Sequence, residues 1–84
     1  MRDKDQVTLR ETGPGVAQVT VWRTNGERVY GDTSRTGHDG RWWRCQKAGG
    51  VEYLGRSRKA AVRLWLTSVG VDPDAAQITT FRSY

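Results

Sequence analysis

The sequence predicts an α+β fold, an antiparallel sheet of three to five strands packed on one main helix at about residues 58–69. Three observations predict it. Short runs alternate apolar and polar residues, as strands with one covered face do. Turn signals separate these runs. One stretch alone, "RKAAVRLWLTSV", carries apolar residues at helical spacing.

Taken in order, residues 1–5 are expected to fray. "QVTLRET" (6–12) alternates weakly and predicts a short strand, closed by the turn "GPG". "VAQVTVWR" (16–23) is the clearest strand, with Ala17, Val19 and Val21 on one face and Gln18, Thr20 and Trp22 on the other. "NG" at 25–26 predicts a type I′ hairpin turn, and "ERVY" (27–30) returns with Val29 on one side and Arg28 and Tyr30 on the other. "GDTSRTGHDG" (31–40) reads as a polar loop, "RWWRCQ" (41–46) as the next strand and "VEYL" (51–54) as the last before the helix. Ser57 suits the N-cap and Gly70 the residue past the helix end. Ala61, Leu64, Trp65 and Val69 form the apolar stripe, widened by Val62 and Leu66. "DPDAAQ" (72–77) predicts a short second helix capped by Asp72. "ITTFRSY" (78–84) either adds an edge strand or packs as an extended tail.

A sheet covered by one helix leaves its second face free. Cysteine is among the most buried residue types, so Trp43 and Cys45 are expected in the core. Trp42 and Arg44 then join Trp22, Arg28 and Tyr30 on the open face. Leu54 is expected inward and Tyr53 outward. Leaving indoles exposed forgoes about 1.5–3 kcal/mol each on the scale for large apolar side chains, so the cluster implies a partner. Two expectations compete with this: a chain terminus folds over the face, or the parity is shifted by one residue, which exchanges Trp42 and Trp43.

The 84 residues suffice for a single domain. The formal net charge is +5, and residues 16–71 hold ten basic against four acidic groups. That asymmetry favours a polyanionic partner, most simply nucleic acid. Arginine outnumbers lysine eleven to three, which suits bidentate contacts to phosphate or guanine. One cysteine and one histidine make a structural zinc improbable and an internal disulfide impossible. No apolar run suggests a signal peptide or membrane span, so a cytoplasmic protein is expected. Asp32, His38 and Asp39 in the polar loop are a weak signal for catalysis, and neither enzyme activity nor a cofactor is expected. The basic run "GRSRK" (Arg56, Arg58, Lys59) meets the helix start, where an anion would relieve the repulsion.

Residues 40–66, "GRWWRCQKAGGVEYLGRSRKAAVRLWL", place a glycine and aromatic at a strand start, a glycine turn, "YLG" and an alanine-bearing helix. This pattern resembles the three-stranded-sheet-plus-helix DNA-binding domains of plant APETALA/ethylene-response factors. It is also similar to the arm-binding domains of phage and transposon tyrosine recombinases. The resemblance implies a sheet laid in the DNA major groove, with Arg41, Arg44 and Tyr53 near DNA and Trp42 at the opening aromatic. Glu52 stands where such domains usually carry a basic residue. Together with the open face and the helix-entry run, this makes the expected nucleic-acid-binding residues, for DNA and for double strand before single strand, Trp22, Arg28, Tyr30, Arg41, Trp42, Arg44, Tyr53, Arg56, Arg58 and Lys59. A phage- or plasmid-type regulator, or a recombination accessory factor, fits this size and charge. The alternative is a protein-binding module, such as a phage-type inhibitor of a host protein, because Trp, Tyr and Arg are also the residues of interface hot spots.

Overall fold

The computed structural model describes residues 3–84. The strands are β1 (Gln6–Gly13), β2 (Val16–Trp22), β3 (Arg28–Thr36), β4 (Trp42–Gln46), β5 (Tyr53–Gly55) and β6 (Gln77–Arg82), with one helix, α1 (Arg58–Ser68), between β5 and β6. They form one six-stranded sheet in the order β5-β4-β3-β2-β1-β6. β1 to β5 pair antiparallel, whereas β6 lies parallel to β1, so the sheet is larger than expected and mixed.

The tail accounts for the difference. Val71 is 2% exposed and Ala76 packs against the core, which returns the chain to the start of β1. Between them the expected second helix is a single turn. The N–H groups of Ala75 and Ala76 both bond Asp72 O, at 3.2 and 3.0 Å, and Asp74 N bonds Asp72 Oδ1 at 2.9 Å. Of the N-terminal residues expected to fray, 1–2 lie outside the described residues. Asp5 is tied down, its carboxylate accepting from Thr24 N at 2.8 Å.

Two turn readings change. At the 25–26 turn, Gly26 has φ 90° and no described non-glycine residue has positive φ, so Asn25 cannot occupy a type I′ turn. Gly26 N bonds Arg23 O at 2.9 Å and Arg23 N bonds Glu27 O at 2.8 Å, the three-residue connection with a left-handed glycine at its end. The polar loop expected over 31–40 is half strand, because β3 runs on to Thr36. Gly31 and Thr33 occupy its covered positions. A Cβ on Gly31 would sit 2.7 Å from Trp65 Cζ2, so glycine is the residue that admits the indole. Thr33 is fully buried and donates its hydroxyl to Arg44 O at 2.7 Å, which satisfies it.

α1 begins as expected, with Ser57 Oγ accepting from Ala60 N at 3.1 Å, and ends with Gly70 at φ 83°. Ala61, Val62, Trp65 and Leu66 are its buried residues, while Leu64 is 51% exposed and lies outside the stripe. The helix approaches β5 closely at Gly55, where a Cβ would lie 2.7 Å from Ala61 N. That contact is the physical content of "YLG" followed by two alanines. On β5 the faces are reversed from expectation. Tyr53 pairs with Cys45 on the covered side and is half-buried, and Leu54 pairs with Arg44 on the open side and is 46% exposed. Strand partners directly opposite share a face, and a strand of three residues has too little periodicity to show which. Trp43 packs against the core without being fully buried. The guanidinium groups of Arg35 and Arg58 lie 5.1 and 5.9 Å from its ring centroid.

Candidate nucleic-acid interface

The face of the sheet opposite α1 is not covered by any described segment, because β6 extends the sheet sideways instead of folding over it. Register fixes its layout. At one end Trp22 pairs with Arg28 across β2 and β3, and the Arg28 guanidinium lies 3.8 Å from the indole centroid. Tyr30, two residues along, is 58% exposed opposite Thr20. At the other end Trp42 pairs with Thr36 and is 36% exposed. Gly37 lies against the Trp42 ring edge, and Arg56, from the β5–α1 connection, places its guanidinium 4.3 Å from the ring centroid.

These are two patches and not one interleaved cluster. Arg28 and Thr36 are eight residues apart on β3, or about 26 Å at the usual strand rise. Between them lie Asp32, opposite Gln18 and Gln46, and Arg44. Arg44 donates to Ser34 Oγ at 2.9 Å and to Glu52 Oε2 at 3.2 Å, so its position is set by two partners. A guanidinium stacked on an indole keeps its in-plane N–H donors pointing outward, the arrangement that meets a phosphate edge-on. Arg28 lies over Trp22 and Arg56 over Trp42 at distances that suit this arrangement.

The remaining expected residues separate. Arg41 is at the rim, 3.3 Å from Asp39 in an exposed ion pair. Tyr53 is on the covered side. The run "GRSRK" is divided by the helix start. Arg56 faces the open side, whereas Arg58 bonds Glu11 Oε1 at 3.2 Å on the helix side. The anion that offsets the charge there is thus internal, and Glu11 also holds Arg82 at 3.4 Å. Lys59 lines a groove of about 620 Å³ between α1 and the β1–β6 pair, floored by Leu9, Val62 and Ile78. Two open-face residues escaped the sequence reading. Arg10 donates to Gln18 Oε1, and Phe81, its partner on β6, is 46% exposed. The alternation in "QVTLRET" was the available signal for Arg10.

Cys45 is fully buried. Burial pushes its thiol from 9.0 up to about 12, with the charge of Asp32 adding to the effect, so it is no nucleophile at neutral pH. Among the described residues no three His, Cys, Asp or Glu side chains are grouped to hold a metal, and no helix is long and apolar enough to cross a membrane. Comparison with protein-family models, with curated proteins and with solved structures finds no match.

Proposed function

We propose that the chain binds nucleic acid, duplex DNA first, through the open face of its sheet. The observation that carries this reading is the pair of arginines lying over indole rings, Arg28 on Trp22 and Arg56 on Trp42, at the two ends of a face that no described segment covers. Arg10 and Arg44 add positive charge between them, against Asp32 and Glu52. The net +5 charge supplies long-range attraction for a polyanion.

Sheet width limits how the face meets a duplex. Six strands span about 24 Å between the outer strand axes, while the major groove is about 12 Å wide. Only part of the sheet enters such a groove, and the β3–β4–β5 end, with Trp42, Arg44 and Arg56, is the part braced by α1. It is also the part that resembles the plant and recombinase DNA-binding domains. The Trp22–Arg28 end then rests on the phosphate backbone. A protein ligand is the second reading, favoured by the two carboxylates on the face and by the exposed Tyr30.

Anisotropy titrations of labelled random-sequence duplex and single strand test the proposal. Arg56→Ala and Trp42→Ala are expected to weaken duplex binding roughly tenfold each, at about the strength of one charge-assisted contact. Lys59→Ala, on the helix side, is expected to leave it within about twofold. Equal losses from all three, or none from any, reject the open face as the binding surface.

A further inference from the structure

We infer that β6 is a homodimerisation edge. Two copies of the chain pair their β6 strands antiparallel about a two-fold axis at Thr80, joining two six-stranded sheets into one. β6 ends the strand order, and every residue from Gln77 to Arg82 is exposed. β1 satisfies only half of its backbone. Gln77 N donates to Asp5 O and Ser83 N to Glu11 O, each at 2.9 Å, so the odd-numbered residues face β1. By strand alternation the N–H and C=O groups of Ile78, Thr80 and Arg82 point away from the sheet.

Exposed edges are ordinarily blunted by proline, lysine, a bulge or shortness. β6 has none of these, and its single charge, Arg82, stands at its last position. It holds no proline or lysine, and its register with β1 runs unbroken from Gln6↔Gln77 to Glu11↔Arg82. The opposite edge, β5, is three residues long. β6 also leaves one large apolar residue on each face, Ile78 at 41% and Phe81 at 46% exposure.

The occupant is a second copy because the strand is complementary to itself. Residues opposite one another in an antiparallel pair share a face, and the outward-pointing groups belong to even-numbered residues. Pairing Thr80 with the partner's Thr80 satisfies both conditions. It sets Ile78 against the stem of the partner's Arg82, and Phe81 beside the partner's Thr79. The one charged residue of the strand therefore never meets its own copy, and Glu11 already neutralises it. The groove beside α1, lined by Ile78 and Thr80, opens at this edge and is closed off by the second sheet. Both open faces then lie on the same side of the joined sheet. The inference stands without the nucleic-acid reading, and salt separates the two. Chains of net charge +5 repel one another, so salt strengthens the dimer, whereas it weakens polyanion binding.

Sedimentation equilibrium from low to high micromolar protein, at low and moderate salt and without nucleic acid, tests the edge. The unaltered chain is expected to show a monomer–dimer equilibrium that tightens with salt. Thr80→Pro removes an outward N–H that β1 does not use, and Thr80→Lys adds a charge at the axis. Each is expected to weaken association roughly tenfold or more while leaving the circular dichroism and melting transition unchanged. A monomer at every concentration and both salts overturns the inference. So does association of both Thr80→Pro and Thr80→Lys at unaltered strength.

Discussion

Trp65 and Trp42 lie on opposite sides of the same sheet, and each has a glycine beside it. Trp65 is 1% exposed and fits over Gly31, with space that a single methyl group would take away. Trp42 is 36% exposed and rests against Gly37, with one ring face under the Arg56 guanidinium. One indole is held by volume and the other by a cation. The same division runs through both faces. On the helix side, position is set by close packing, as at Gly55 against Ala61, and substitutions there act on stability. On the open side, position is set by stacking and by ion pairs in contact with water, which contribute little to folding and leave donors for a ligand.

Truncation of the two tryptophans separates the faces most strongly. Trp65→Ala is expected to destabilise the fold by about 3–5 kcal/mol, enough to unfold much of so small a domain. Thermal and urea denaturation followed by circular dichroism would register it. Gly31→Ala adds one methyl at the same contact and is expected to destabilise by about 1–3 kcal/mol through overpacking, read by the same melt.

Cys45 extends the test to pH. Its folded pKa is raised, so the thiol stays neutral in the fold where it ionises in the unfolded chain. Its contribution to stability is whole below pH 9.0 and is lost as pH rises towards about 12. Stability in that window is expected to fall by up to about 1.4 kcal/mol per pH unit from this group. Urea melts of Cys45→Val across the same window should lack that component of the slope. Trp42→Ala is expected to cost about 1–2 kcal/mol, well below Trp65→Ala, because the indole is only partly buried and its cation–π pair is exposed. A loss as large as that of Trp65→Ala would erase the distinction between the faces.

The sequence made some of this architecture plain and hid the rest for physical reasons. α1 was legible because Ser57 and Gly70 mark its ends and Ala61, Trp65 and Val69 keep helical spacing. The faces of β2 were legible because Ala17, Val19 and Val21 alternate strictly with polar residues. The second half of β3 was not, since its covered positions are Gly31, shaped by an indole far along the chain, and Thr33, buried through a hydrogen bond. Leu64 and Leu54 show that a large apolar residue does not fix a face on its own. Of the open face, Trp22, Arg28, Tyr30, Trp42 and Arg44 followed from parity. Their division into two patches needed the length of β3, and Phe81 needed the parallel pairing of β6 with β1, which no local signal encodes.

The most direct test of the open face as a polyanion-binding surface is the salt dependence of duplex binding by the unaltered chain and by Arg28→Gln/Arg44→Gln/Arg56→Gln. If these three arginines each neutralise a phosphate, the slope of log K against log salt should shallow by about three times 0.9 in the triple variant, with the fold intact. An unchanged slope, or no duplex binding by the unaltered chain at about 50 mM salt, where such contacts are strongest, contradicts the account.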